Sequence, residues 1–97
     1  MEKYRILVVD DSENTLEIIR RNLLKAGYTV VTSKDVIESI SFLKKNHVDL
    51  VITDYKMPRV SGIELVRHVR ENIPSTRVMM ITGFASVEGA VEAVKRG

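Results

Sequence analysis

The chain has 97 residues, no cysteine, and 15 Lys+Arg against 13 Asp+Glu for a formal net charge of +2. That length makes one small domain burying roughly 60–68% of its unfolded surface, and the missing thiols exclude a disulfide framework or thiolate metal sites. Basic pairs scattered at Arg20-Arg21, Lys44-Lys45 and Lys95-Arg96, without interleaved aromatics, exclude a nucleic-acid stacking surface in this segment. The short apolar run after Arg5 is neither a signal core nor a membrane span, so a cytoplasmic, membrane-free location is expected.

Four apolar runs rich in Val, Ile and Met each precede a stretch with helical spacing, which predicts strand alternating with helix around a parallel sheet. In chain order, strands are expected at Arg5 to Val9, Thr29 to Ser33, Asp49 to Thr53 and Arg77 to Thr82. Helices are expected at Glu13 to Ala26, Val36 to Asn46, Ile63 to Glu71 and Val87 to Arg96. Their inward stripes read Leu16/Ile19/Leu23, Ile37/Ile40/Leu43, Val66/Val69/Ile73 and Val87/Ala90/Val91/Val94. Asp11 or Ser12 is placed to cap the first helix, Gly27 to end it, and Pro74-Ser75 to separate the third helix from the fourth strand. Ile6–Val9, Leu50–Ile52 and Val78–Ile81 are continuously apolar and predict interior strands, whereas Thr29–Ser33 predicts an edge. This is the doubly wound order 2-1-3-4-5, in which ligands bind at the crevice between strands 1 and 3. With four strands the apolar fourth becomes an uncovered edge, so a fifth strand is expected to be missing and self-association through the fourth strand is anticipated.

The crevice is where the chemistry concentrates. Asp10 and Asp11 end the first strand and Asp54 ends the third. If those strands are neighbours, three carboxylates converge, and one like-charge pair at 4 Å repels by about 4 kcal/mol at an effective dielectric near 20. A cation is required, and oxygen-only donors favour a hard ion such as Mg²⁺, which keeps open positions for phosphate oxygens. Asp54 alone reads as a strand-end turn residue, and Thr82 alone as a turn cap; their combination with Asp10 and Asp11 points to phosphoryl chemistry. His47 and His68 lack partners at ligand spacing and read as solvated helical residues. Met57-Pro58 shapes the loop after Asp54, where Gly62 is expected to supply backbone angles closed to other residues.

These residues resemble the receiver domain of two-component response regulators over Tyr4 to Gly97. The resemblance is carried by Val8-Val9-Asp10-Asp11-Ser12, Asp54-Tyr55-Lys56-Met57-Pro58 with Gly62, Ile81-Thr82-Gly83, and Ala93-Val94-Lys95-Arg96-Gly97. It implies a flavodoxin-like α/β receiver fold of strand order 2-1-3-4. It also implies phosphorylation of Asp54 by a sensor histidine kinase or phosphotransfer protein. Mg²⁺ would be held by Asp10, Asp11, Asp54 and the backbone carbonyl of Lys56, and Thr82 would hydrogen-bond the phosphoryl group and shift on activation. The family continues with a fifth strand, its lysine and a fifth helix, so residues 1–97 read as one receiver domain incomplete at its C-terminus. The run Gly83 to Ala93 is similar to receivers that precede a sigma-54-type ATPase, which implies transcriptional output.

One enzyme reading and one flavin-binding reading are set aside on their residues. A haloacid-dehalogenase-type phosphatase needs an acid two residues after its nucleophile, where Lys56 stands. A flavin site after the first strand would set Asp10-Asp11 against the flavin phosphate. The alternative from a different class is a phosphorylation-independent interaction module or inactive receiver fragment.

Overall fold

A computed structural model describes residues 4–54, 61–81 and 94. Seven elements follow in order: β1 (Arg5–Val9), α1 (Glu13–Lys25), β2 (Thr29–Ser33), α2 (Val36–Lys45), β3 (Leu50–Asp54), α3 (Gly62–Asn72) and β4 (Arg77–Ile81). All strand pairs are parallel in the order β2-β1-β3-β4, the expected doubly wound arrangement. The chain moves from β1 to β2 in one direction and from β2 past β1 to β3 in the other. Crossovers of one hand then place α1 on one face of the sheet and α2 and α3 on the opposite face.

The core follows that division. Ile6, Val8, Leu50 and Ile52 pack with Leu16, Ile19 and Leu23 of α1, together with Ile81 and Val94. Leu7, Val9 and Val51 point the other way, against Val36 and Leu43 of α2 and Leu65 and Val69 of α3. Successive strand side chains alternate between faces, and both faces are covered, so β1 and β3 read as unbroken apolar runs. Residues of β4 are less enclosed: among the described residues it pairs with β3 alone and Met80 is exposed, the uncovered edge expected of a four-stranded sheet even though its apolar run reads as interior.

Two helical stripes also differ from expectation. In α2, Ile37 is 58% exposed, while Val36, Ser39 and Leu43 are buried. The helix is phased by its cap: Asp35 Oδ1 accepts the Glu38 N–H at 2.7 Å, and buried Ser39 donates its hydroxyl to the Asp35 carbonyl at 2.7 Å. A polar residue satisfied by its own helix can face the core, which a hydrophobic count overlooks. In α3 the buried set is Gly62, Leu65 and Val69, with Val66 and Ile73 only half-buried. The fourth expected helix lies outside the described residues except for Val94, which is helical and buried.

At the end of α1, Gly27 has φ +96°, and the Gly27 and Tyr28 N–H groups donate to the Leu24 and Leu23 carbonyls. Nothing lies within 4 Å of a Cβ built there, so the requirement is backbone conformation and not space. Gly27→Ala should therefore lower unfolding stability by about 1–2 kcal/mol through left-handed strain alone. Chemical denaturation checks this, and a change below a few tenths of a kcal/mol would contradict the account.

Candidate functional site

Parallel pairing sets Val9 of β1 opposite Thr53 of β3, so Asp10, Asp11 and Asp54 leave neighbouring strands at the same end of the sheet. One carboxylate oxygen from each lies within 4.8 Å of the others. Asp10 is buried, Asp54 half-buried and Asp11 exposed, which makes a pocket graded from floor to rim. Asp10 is held at its backbone and at its carboxylate. Its backbone N–H donates to the Ser33 carbonyl at 3.1 Å, its Oδ1 accepts the Ser12 N–H at 2.8 Å, and Ser12 Oγ in turn accepts the Thr15 N–H at 3.3 Å as the cap of α1. Ser12 is thus the cap, leaving Asp11 to the acid cluster.

No lysine or arginine among the described residues pairs with these three carboxylates. Lys34, which follows β2, pairs with Glu13 in the first turn of α1 and pulls its carboxyl below the ordinary value. The Asp10 carboxyl is pushed up to about 6. Burial is the main cause, the Ser12 N–H opposes it, and the charges of Asp54 and Asp11 add to it. Oxygen-only, closely spaced and anionic, the set fits a hard divalent cation better than a soft one.

Asp54 is also constrained through its backbone. The buried Thr53 hydroxyl donates to the Asp54 carbonyl at 3.1 Å. Gly62, the first residue of α3, sits directly on that carbonyl: a Cβ there would lie 2.0 Å from the Asp54 oxygen and 3.1 Å from Thr53 Oγ1. The expectation for Gly62 is therefore corrected. It has no positive φ, and its requirement is space for a strand to meet a helix.

Of the expected site residues, Asp10, Asp11 and Asp54 come together, while Lys56 and Thr82 lie outside the described residues. β4 ends at Ile81, which is in register with Asp54. Sequence reasoning missed Thr53, whose only signal is a hydroxyl in an otherwise apolar strand. His47 lies in the loop after α2, exposed and 3.1 Å from Asp49, and His68 is half-buried on α3 beside Asn72; neither approaches the acids. A cavity of about 530 Å³ lined by Tyr4, Tyr28, Arg77 and Met79 opens at the opposite end of the strands.

The family model described as the response regulator receiver domain matches residues 6–97. Response regulator protein PilR of Pseudomonas aeruginosa is 31% identical over 100% of this chain, which covers 22% of PilR. Transcriptional regulatory protein GlrR of Escherichia coli is 33% identical over 95% of the chain, which covers 21% of GlrR. The chain thus spans about a fifth of the length of these relatives. Among solved structures, response regulator TrrA of Thermotoga maritima in complex with Mg²⁺-BeF superposes with a TM-score of 0.84 at 25% identity, covering 95% of this chain and 96% of that one. TrrA in complex with histidine kinase ThkA gives a TM-score of 0.82 at 25% identity over the same shares.

The Asp10 shift has a calculable consequence. Its folded carboxyl titrates at about 6 against an ordinary 3.8, so the folded state binds more protons in that window. The stability this group contributes is complete below 3.8 and is lost as pH rises through about 6. Glu13 and Asp49 are shifted downward, so their opposite contributions fall below their ordinary values of 4.5 and 3.8. Without divalent ions, Asp10→Asn should remove the wild-type decline in stability between about pH 4.5 and 7 and exceed wild type at neutral pH by roughly 1–3 kcal/mol. Denaturation midpoints across pH measure this; a less stable Asp10→Asn protein at neutral pH would overturn it.

Proposed function

We propose that this chain, which belongs to the response regulator receiver family, takes a phosphoryl group on Asp54 and passes the change to an output. The observation that carries the reading is the convergence of Asp10, Asp11 and Asp54 within 4.8 Å with no cation from the described residues to neutralise them. Such a set repels an incoming phosphate unless a divalent ion is held there, and Asp10, Asp11 and Asp54 are the residues to hold it, with the Lys56 backbone carbonyl as a fourth donor. Bound Mg²⁺ supplies neutralisation of charge on the phosphoryl oxygens.

Each residue then has a distinct task. A carboxylate oxygen of Asp54 is the nucleophile: it forms a new O–P bond as the P–N bond of a phosphohistidine donor breaks. The electron pair leaves with the imidazole nitrogen, which takes up a proton. Asp10, deprotonated, anchors the floor of the pocket through its bonds to Ser12 and Ser33. Thr82, next after the end of β4, is placed by sequence to donate its hydroxyl to the new phosphoryl group and to bias a two-state loop.

The complex of TrrA with ThkA supports a sensor histidine kinase as the donor, a phosphotransfer protein serving the same chemistry. The name of transcriptional regulatory protein GlrR, of which this chain spans about a fifth, supports control of transcription as the output. No helix among the described residues is long and apolar enough to cross a membrane, which suits a kinase-facing role in the cytoplasm.

With Mg²⁺ and acetyl phosphate as donor, intact-protein mass spectrometry should register the gain of one phosphoryl group. Asp54→Asn should abolish it, and Asp11→Asn should weaken Mg²⁺ binding by about tenfold or more, the scale of one lost carboxylate charge at a partly exposed site. Phosphoryl gain that persists in Asp54→Asn, or undiminished Mg²⁺ affinity in Asp11→Asn, would defeat the reading.

A further inference from the structure

Thr53 is 0% exposed in a strand whose other buried members, Leu50, Val51 and Ile52, are aliphatic. Valine has nearly the same shape and would bury no hydroxyl there, and a hydroxyl taken from water without a partner costs about 1–3 kcal/mol on protein scales. The hydroxyl must therefore be satisfied, and its bond goes to the carbonyl of the adjacent residue, Asp54, at 3.1 Å. That bond is local and adds no contact between elements. Its effect is orientational: it sets which way the peptide following Asp54 faces.

The same carbonyl is the seat of α3. Gly62 lies so near that any Cβ would overlap the Asp54 oxygen and touch Thr53 Oγ1. The Ser61 side chain makes no capping bond, so the first turn of α3 is located by this close approach in place of a side-chain cap. Asp54 is the last residue of β3, paired with Ile81, and its onward peptide is where ladder constraint ends. The rotamers open to a side chain depend on its backbone angles, so an unheld carbonyl, free to turn about the Cα–C bond, would change which orientations the Asp54 carboxylate adopts relative to Asp10 and Asp11. Alternation along β3 puts Thr53 on the face of Val51, towards α2 and α3. From there it fixes the peptide without entering the acid pocket.

We propose that Thr53 is a positioning residue for phosphoryl transfer: its buried hydroxyl, with Gly62, locks the Asp54 peptide so that the Asp54 carboxylate is held for in-line attack. This rests on the reading of Asp54 as phosphoacceptor. A displacement near 1 Å costs about a hundredfold in rate where alignment dominates, and phosphoryl transfer offers a protein little besides alignment and charge to work with.

Thr53→Ser, Thr53→Val and Thr53→Ala separate hydroxyl from methyl. A positioning role requires wild type and Thr53→Ser to react with acetyl phosphate and Mg²⁺ at rates within about twofold. Thr53→Val and Thr53→Ala should be slower by about tenfold or more in maximal rate, with the half-saturating donor concentration unchanged. Thermal midpoints should sort differently, by the methyl, because packing depends on volume. Rates that follow the methyl, or fall only in step with stability, assign Thr53 to packing and overturn the proposal, as does an unchanged Thr53→Val. A wild-type protein that gains no phosphoryl group fails the Asp54 reading instead, and the two failures are distinct.

Discussion

Parallel pairing of β1 with β3 is the constraint on which the rest depends. Each strand ends in acid, and their register, with Val9 opposite Thr53, brings three carboxylates into one pocket. Gathering like charges is unfavourable by several kcal/mol at partly desolvated sites, so an opposing force must hold the strands there. It comes from the apolar ladders behind the acids: Ile6 to Val9 and Val51 to Ile52 are 0% exposed and clamped from both faces. Asp10 registers the cost: burial first, and then the charges of Asp54 and Asp11, push its carboxyl up to about 6.

Elements that complete the fold also shape the pocket. Ser12 caps α1 with its hydroxyl while its own N–H holds Asp10, so the start of a helix and the floor of the site share one residue. α3 starts on the carbonyl of Asp54 through Gly62, so the end of β3 and the start of α3 meet at the site. On the other flank, Ser33 accepts the Asp10 N–H and the Lys34–Glu13 pair ties the end of β2 to α1. Exposed ion pairs of that kind contribute little to stability.

Much of this was legible in the letters because it rests on short-range patterns. Alternation of apolar runs with helical spacing set the fold class, and the four strands stand within a residue or so of their expected limits. Polar β2 fell at the edge for the reason that parallel interior strands are apolar on both faces. Ile37 was misread because helix phase is decided by the Asp35 cap and by Ser39 satisfying itself within the helix, neither of which a hydrophobic stripe registers. The apolar run Val78 to Ile81 by itself reads as interior, yet β4 stands at the edge as the order 2-1-3-4 requires, because burial depends on neighbours and not on composition. Gly62 was correctly singled out for the wrong physical property, space and not backbone angle.

The residue types and their spacing by themselves determined that acids stand at strand ends and that oxygen donors select a hard cation, since both follow from local chemistry. Family resemblance rested on those same letters. Only the tertiary structure decided which oxygens meet, how deeply Asp10 is buried, and that Thr53 and Gly62 converge on one carbonyl. Those are distances between residues separated along the chain, or set by how a helix lands on a strand, and no pattern of neighbours in sequence encodes an ångström-scale approach.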